Sequence, residues 1–468
     1  MSYLNPDRLF DPEPTVRGIA RELYESVRDL PILSPHGHVD PKLFAQNQPF
    51  PDPTELILIP DHYIFRLLYS HGIRMEDLGI PTRDGSPVEM DHRKIWQVFG
   101  EHYYLFAGTP TGLWLDTEFA EVFGITERLT GETALSIYDQ ISERLQTEEY
   151  LPRNLFDRFN IEVLATTDAP FDDLENHIAI RASEWSARII PTFRPDAVTD
   201  LSHMEWRENI HRLGEVCGYE ITSYASFIKA LEERRSYFKS QGCTATDHGV
   251  ESPLTHRLSE GDAEALFRRA LKGKIGQTEA QIFTAHMLME MARMSTEDGL
   301  VMQIHPGAMR NHNRDVFSRF GPDKGGDIPI RMEYTRNLHE LLNTYGNDPR
   351  FRVIVFTMDE TVYARELAPL AGHYPAMWLG PPWWFNDSAE GMTIFRERIT
   401  ETAGFHKTVG FIDDTRAFAS IPARHDVSRR VDANYLARQV SRYLIDREEA
   451  GKIIRALAYD LSKHAYNL

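Results

Sequence analysis

The chain has 468 residues, a formal net charge of −19 and 42% hydrophobic residues, which is enough for a sizeable core. The negative charge argues against nucleic acid or an anionic membrane as partner, because both repel an acidic surface. No apolar run reaches the eighteen or so residues of a membrane span, and residues 1–15 lack the pattern of a secretion signal. Two cysteines outside any paired motif fit a reducing compartment. We therefore expect a cytoplasmic protein that acts on a small molecule, and the sequence leaves open whether it forms a homo-oligomer.

Eight short apolar runs, separated by helical stretches, predict parallel strands in an α/β protein. The runs cover residues 32–36, 161–167, 188–193, 242–247, 299–305, 352–358, 376–380 and 408–413. Polar residues follow nearly every run, which is typical of a TIM-type (β/α)8 barrel, whose active site lies at the carboxyl ends of the strands. We interpret residues 1–468 as one barrel domain with helical insertions at about 41–160 and 253–298. A separate helical domain is the alternative interpretation of these intervals.

Two histidines, His36 and His38, stand one residue apart at the end of the first apolar run. Residues i and i+2 of a strand point to the same face, so both imidazoles can be directed at one metal ion. A carboxylate from another strand end would complete a ligand set suited to Zn²⁺, with positions left open for water or substrate. Asp413 ends the eighth run and Asp414 follows it, although either could simply cap the next helix.

Three arginines also follow predicted strands, namely Arg194, Arg310 and Arg416. Arginines gathered at one rim of an acidic protein predict an anionic substrate, most readily a carboxylate. A single arginine in such a position is more simply interpreted as a solvated residue. Other polar or aromatic residues at strand ends are Asp247, His248, His305, Trp383 and Trp384. His305 could be a hydrogen-bonded core histidine and the tryptophans could be packing residues, and the roles of Asp247, His248 and Trp384 stay open.

The segment from Asp61 to Tyr63 begins a predicted helix in the first insertion. Asp61 fits the N-cap, which places His62 and Tyr63 in the first turn. As a functional pair they would bring an imidazole and a hydroxyl over the barrel mouth. The alternative is that Tyr63 packs in the core while His62 is solvated.

Taken together, these segments resemble the uronate isomerases (glucuronate isomerases) of the amidohydrolase superfamily, and the resemblance runs along nearly the whole chain. The matching segments are residues 36–38, 61–63 with Arg66, 166–168 with Pro170, 193–196, 242–248, 305–311, 383–387, 414–416 and 424–425. The resemblance implies a distorted (β/α)8 barrel of the metal-dependent hydrolase kind. It implies one divalent metal per subunit, with zinc expected, on His36, His38 and Asp414. It also implies interconversion of hexuronates: D-glucuronate with D-fructuronate, and D-galacturonate with D-tagaturonate.

The resemblance further implies roles for individual residues. His62, Tyr63 and Asp414 would be catalytic in an aldose–ketose isomerisation through a cis-enediol, whereas Arg194, Arg310, Arg416, His305 and Trp383 would bind substrate. The chain departs from the family at Ser34, where an acidic residue is often found, at Pro35, where an aromatic is more usual, and at Asp413, where a threonine is common. Two other functions compete with isomerisation, a metal-dependent hydrolase or deaminase on the same barrel and a non-catalytic sensor of sugar acids.

Overall fold

The computed structural model describes residues 4–468, so the first three residues of the stretch 1–15 lie outside the described part. Nine strands occur in residues 4–468: β1 (Ile32–Ser34), β2 (Ile161–Ala165), β3 (Arg188–Ile190), β4 (Ala245–His248), β5 (Val301–Ile304), β6 (Ala308–Met309), β7 (Ile328–Pro329), β8 (Val353–Val355) and β9 (Met377–Leu379).

Helices make up most of the rest of the chain. The α-helices are α1 (Pro14–Glu25), α2 (Lys42–Gln46), α3 (His62–Ser70), α4 (His92–Glu101), α5 (Pro110–Thr117), α6 (Ala134–Leu145), α7 (Pro152–Arg158), α8 (Glu175–Ala182), α9 (Asp196–Thr199), α10 (Trp206–Cys217), α11 (Tyr224–Ser240), α12 (Glu260–Leu271), α13 (Gln277–Asp298), α14 (Arg314–Phe320), α15 (His339–Tyr345), α16 (Ala368–Ala371), α17 (Ala389–Ala403), α18 (Ile421–Ser441), α19 (Arg447–Arg455) and α20 (Leu461–Ala465). Short π-helical turns cover Thr54–Leu58, Glu118–Val122, Tyr363–Leu367 and Ala456–Asp460. Short 3₁₀ turns cover Met75–Leu78, Tyr103–Phe106, Glu148–Tyr150, Glu360–Val362, Phe405–Lys407 and Phe418–Ser420. No helix within residues 4–468 combines the length and the apolar character needed to cross a bilayer.

The parallel strands are arranged in chain order. One sheet has the order β1-β2-β3 and a second has the order β4-β5-β8-β9, and a parallel bridge between Phe193 and Thr246 links the two. Strands β6 and β7 form a separate antiparallel pair. Parallel strands joined through helices confirm the predicted α/β fold, and their carboxyl ends meet at one edge.

Both faces of the second sheet are covered by apolar side chains. Ile354 of β8 packs with Val301 of the neighbouring β5 and Ala245 of β4, whereas Val353 and Val355 pack against the outer helices. This alternation follows from the period of two in a β-strand. The interval between β1 and β2 holds helices α2 to α7, and that between β4 and β5 holds α12 and α13.

The eighth predicted strand, residues 408–413, is not a strand in the structure. Thr408 forms a single parallel bridge to Leu379, and then Gly410 adopts φ +79°. Such a left-handed residue ends an extended segment, because the following residues turn away from the ladder. Ser462 near the C-terminus donates a hydrogen bond to the carbonyl oxygen of Val409 at 2.7 Å. The segment therefore still lies beside β9, but it bonds in part to a helix instead of a strand.

Candidate active site

The three predicted metal ligands lie close together, although His36 and His38 do not stand in a strand. Strand β1 ends at Ser34, so His36 and His38 stand in the loop that follows it. Nε2 of His36 lies 3.5 Å from Oδ1 of Asp414, and Nε2 of His38 lies 3.2 Å from the same oxygen. The backbone N–H of His38 donates to the carbonyl oxygen of Thr415 at 3.0 Å, which ties this loop to the Asp414 segment.

The three donors fit a divalent metal ion. Ligands on a tetrahedral zinc with bonds of about 2.0–2.1 Å stand roughly 3.3 Å apart, close to the separations between these histidines and Asp414. Burial lowers the pKa of His36 to about 4, so its imidazole is neutral and able to bind a metal. Burial raises the pKa of Asp414, but His36 and His38 lower it more, so it lies well below the ordinary range. Asp414 also has φ +39°, the kind of strained backbone that is found at functional sites.

The neighbouring Asp413 is engaged elsewhere. Ser34 Oγ donates to Asp413 Oδ1 at 3.1 Å, and Nε2 of His425 lies 3.0 Å from Asp413 Oδ2. Its carboxylate is therefore already occupied by two partners, whereas that of Asp414 faces the histidines. Of the two adjacent aspartates, it is therefore Asp414 that lies against the two histidines, whereas Asp413 is the partner of the unusual Ser34.

A second buried group lies against the first and is centred on Asp247. Nδ1 of His305 lies 2.6 Å from Asp247 Oδ1, and Nη1 of Arg194 lies 3.2 Å from Asp247 Oδ2. The rings of His36 and His305 stack with their centroids 4.6 Å apart. Burial raises the pKa of Asp247, but Arg194 and His305 lower it more, so the carboxylate is ionised. Sequence reasoning gave Asp247 no role, although its place at the end of a buried strand was a usable signal.

His248 faces away from this group. Its Nε2 lies 3.0 Å from the hydroxyl of Thr246, and burial lowers its pKa to about 4. Its imidazole is therefore neutral and already has a hydrogen-bond partner in Thr246.

Each of the three predicted substrate-binding arginines is paired with a carboxylate. Arg194 Nε donates to Asp196 Oδ2 at 2.7 Å. In the same way Arg310 donates to Asp327 at 2.7 Å, and Arg416 lies 2.9 Å from Asp323. Asp323 and Asp327 belong to the loop between α14 and β7, which the sequence did not single out. Burial raises the pKa of Asp323, but Arg416 lowers it more, to about 2.

A continuous line of rings connects the predicted metal ligands to the pair His62 and Tyr63. Ring centroids are 4.9 Å apart for His305 and Trp383, 5.3 Å for Trp383 and Trp384, 5.6 Å for Trp384 and His62, and 5.1 Å for His62 and Tyr63. The structure therefore brings the two parts of the predicted site to one face. Burial, followed by the charge of Arg416, lowers the pKa of His62 to about 3, so its imidazole is neutral.

The first turn of α3 fixes this pair as the sequence predicts. The side chain of Asp61 accepts a hydrogen bond from the backbone N–H of Tyr63 at 2.8 Å and caps the helix. His62 is half-buried, whereas Tyr63 is buried and its hydroxyl donates to Asp387 at 3.1 Å. Tyr63 is therefore buried as in the packing interpretation, but it also has a specific polar partner.

A cavity of about 330 Å³ opens beside His38 and Arg416. This volume lies in the range of roughly 300–1,000 Å³ that is usual for small-molecule sites. Asp168 also lines this cavity, and burial raises its pKa to about 7. The hydroxyl of Thr166 donates to Asp168 at 2.7 Å and lies 2.8 Å from Nε2 of His177.

Comparison with known proteins gives consistent matches over the whole chain. A family model described as glucuronate isomerase matches residues 15–466. The uronate isomerase of Nostoc punctiforme is 57% identical over 466 residues, which cover 99% of this chain and 98% of that protein. The crystal structure of glucuronate isomerase from Caulobacter crescentus is similar at 52% identity and a TM-score of 0.98, covering 99% of this chain and 97% of that one. A proposed metal-dependent hydrolase from Lactobacillus casei shares only the fold, at 14% identity and a TM-score of 0.53, with 95% and 97% of the two chains covered.

Proposed function

Because the chain belongs to the glucuronate isomerase family, we propose that it interconverts D-glucuronate with D-fructuronate and D-galacturonate with D-tagaturonate. The observation that carries this proposal is that two groups of residues with different chemistry lie side by side in one continuous site. The group of His36, His38 and Asp414 suits a divalent metal, for which we propose zinc, and the line of rings leads from it to His62 and Tyr63.

The two groups act on opposite ends of one substrate molecule. When bound, the metal supplies a positively charged Lewis-acidic centre for the substrate's carboxylate end. Arg194, Arg310 and Arg416 bind and orient the same anionic end, because guanidinium groups bind carboxylates strongly. Trp383 and His305 form the wall between the two ends and exclude water. Binding energy at the carboxylate then orients the reacting carbons.

The reacting end needs proton transfers at C1, C2 and their oxygens. An aldose becomes a ketose when a proton moves from C2 to C1 through a cis-enediol, while a second proton moves between the two oxygens. His62, which is neutral, and Tyr63 face this end and exchange protons with the oxygens. Opening of the sugar ring moves a proton from the C1 hydroxyl to the ring oxygen, which becomes the hydroxyl next to the carboxylate end, and Asp414 exchanges the proton with that oxygen.

The direct test is incubation of the zinc-loaded protein with D-glucuronate and, separately, D-galacturonate. We expect a ketose-specific reaction to detect D-fructuronate and D-tagaturonate, and we expect treatment with a chelator to abolish their formation. Turnover of esters, lactones or amino-substituted substrates without ketose formation would instead support a hydrolase or deaminase. Binding of D-glucuronate to metal-loaded protein without any turnover would support a sensor.

A further inference from the structure

The loop that follows β9 brings to Tyr63 a carboxylate that the steps above do not use. Tyr63 donates its hydroxyl proton to Oδ2 of Asp387 at 3.1 Å, and both side chains are buried. Nη1 of Arg424, in the first turns of α18, donates to the same oxygen at 3.2 Å. The start of α3, the loop before α17 and helix α18 therefore converge on one buried oxygen atom.

Arg424 is held rigidly in this position. Its guanidinium carbon lies 3.7 Å from the centre of the Trp114 ring and 5.3 Å from the centre of the Tyr63 ring. Its Nε donates to Oγ of Ser420 at 2.8 Å. A cation that lies against two aromatic rings and is paired with a carboxylate has little freedom to move. The Asp387 carboxylate is therefore fixed in place beside the phenol.

The other oxygen of Asp387, Oδ1, is buried and has no hydrogen-bond partner among residues 4–468. Burial raises the pKa of Asp387 even though Arg424 opposes the shift. A carboxylate with a spare lone pair and a raised proton affinity is able to hold a proton for a short time.

We propose that Asp387, held by Arg424, is the positioning residue for Tyr63: it takes up the phenol proton, and the Tyr63 oxygen is thereby presented to the substrate as a proton acceptor. This inference rests on the proposed function, in which Tyr63 faces the C1–C2 end of the sugar. A phenol has one proton, so a hydroxyl that donates to Asp387 offers only lone pairs in other directions.

The proton transfers balance over the reaction. The O–H bond at the C2 oxygen breaks as an O–H bond forms on Tyr63, and the proton that Tyr63 held passes to Asp387. The negative charge of the carboxylate is thereby transferred to the substrate oxygen. The reverse transfers then break the O–H bond on Asp387 and form an O–H bond at the C1 oxygen, which leaves Asp387 ionised again.

A double-mutant cycle with Asp387→Asn and Tyr63→Phe in the zinc-loaded enzyme tests the inference. We expect Asp387→Asn to lower kcat for D-glucuronate roughly 10- to 100-fold with little change in KM or metal content. We expect Tyr63→Phe to lower kcat by roughly 10²-fold, and the double variant to be no slower than Tyr63→Phe alone, because Asp387 acts only through Tyr63. Asp387→Glu, which keeps the carboxylate, should have a kcat between those of Asp387→Asn and the wild type.

Glu118→Gln is the matched control, because Glu118 is a second buried carboxyl group in the electrostatic environment of Arg424. It should leave kcat unchanged. The inference would be overturned if the losses of kcat in the two single variants added in the double variant, or if Asp387→Asn had the wild-type kcat. Either result would leave hexuronate isomerisation itself intact. A wild-type enzyme that forms no ketose would overturn the proposed function, and the inference with it. If Asp387→Asn does not fold, the same cycle with Asp387→Glu decides between coupled and additive losses.

Discussion

The histidines predicted to bind metal differ from the buried His248 in what their ring nitrogens face. His38 faces Asp414 across 3.2 Å, whereas His248 faces the hydroxyl of Thr246. We expect His38→Asn to remove most of the bound metal, about one ion per subunit in the wild type, because it deletes one of three donors. Elemental analysis after dialysis measures this. His248→Asn is the matched control and should keep its metal, and equal metal content in the two variants would argue against the assigned ligands.

Arg416 lines the same cavity as the predicted metal ligand His38. A charge-assisted pair with a carboxylate is typically worth about 3 kcal/mol, which corresponds to roughly two orders of magnitude in rate. We therefore expect Arg416→Met to lower kcat/KM for D-glucuronate by about that factor in steady-state assays. The control Arg74→Met removes an exposed arginine paired with Asp77 and should change little. Similar losses in both variants would mean that overall charge, and not the site, is responsible.

At the scale of elements, the loop between α14 and β7 supplies two carboxylates to the arginines of the site. Asp323 pairs with Arg416, and its charge also acts on Arg194 and His62. A substrate carboxylate that binds Arg416 has to compete with this internal carboxylate. We expect Asp323→Asn to lower KM for D-glucuronate several-fold. A raised KM would show that Asp323 orients Arg416 for the substrate instead of competing with it.

Most of the strands could be predicted from the sequence because a buried parallel strand is a short apolar run, and such a run can be recognised without knowing the rest of the fold. Seven of the predicted runs contain strands of the structure, although β1 stops at Ser34, short of the predicted end at His36. The run 408–413 failed because a single residue, Gly410, adopts a left-handed conformation. Its backbone lies close to the carbonyl of Leu457, a contact from a distant helix that no local pattern reveals.

The site could also be predicted only in part, because some of its residues come together through the packing of distant elements. His36, His38, Asp61 and Tyr63 stand in local patterns that have a physical meaning, such as alternate residues or a helix cap. Asp323 and Asp387 reach the site from loops, and Asp387 became identifiable only when its oxygen was found beside Tyr63 and Arg424. Pairings between residues hundreds of positions apart depend on how the elements pack.

At the scale of the whole molecule, buried carboxyl groups make stability depend on pH. Burial, together with the charge of Asp61, raises the pKa of Glu118 from the ordinary 4.5 to about 8, although Arg424 opposes the shift. The folded state thus binds more protons than the unfolded state between these values, so this contribution to stability is complete below pH 4.5 and is lost as pH rises towards 8. The loss is on the order of a few kcal/mol.

We therefore expect Glu118→Gln to be increasingly more thermostable than the wild type as the pH rises from about 5 to 8, because the amide cannot ionise. Calorimetric Tm values of both proteins at several pH values measure the difference. A constant difference across this range would mean that the pKa of Glu118 is not raised in the folded protein.

In the proposed function one hexuronate spans the site, with its carboxylate end at His36, His38, Asp414 and Arg416 and its C1–C2 end at His62 and Tyr63. The most direct measurement is a crystal structure of the zinc-loaded Tyr63→Phe variant, in which turnover is slowed, after soaking with D-glucuronate. We expect the carboxylate next to Arg416 and the C1 or C2 oxygen within about 3 Å of His62 or next to the ring of residue 63. A sugar bound in the reverse direction, or outside the line of rings between His305 and His62, would contradict it.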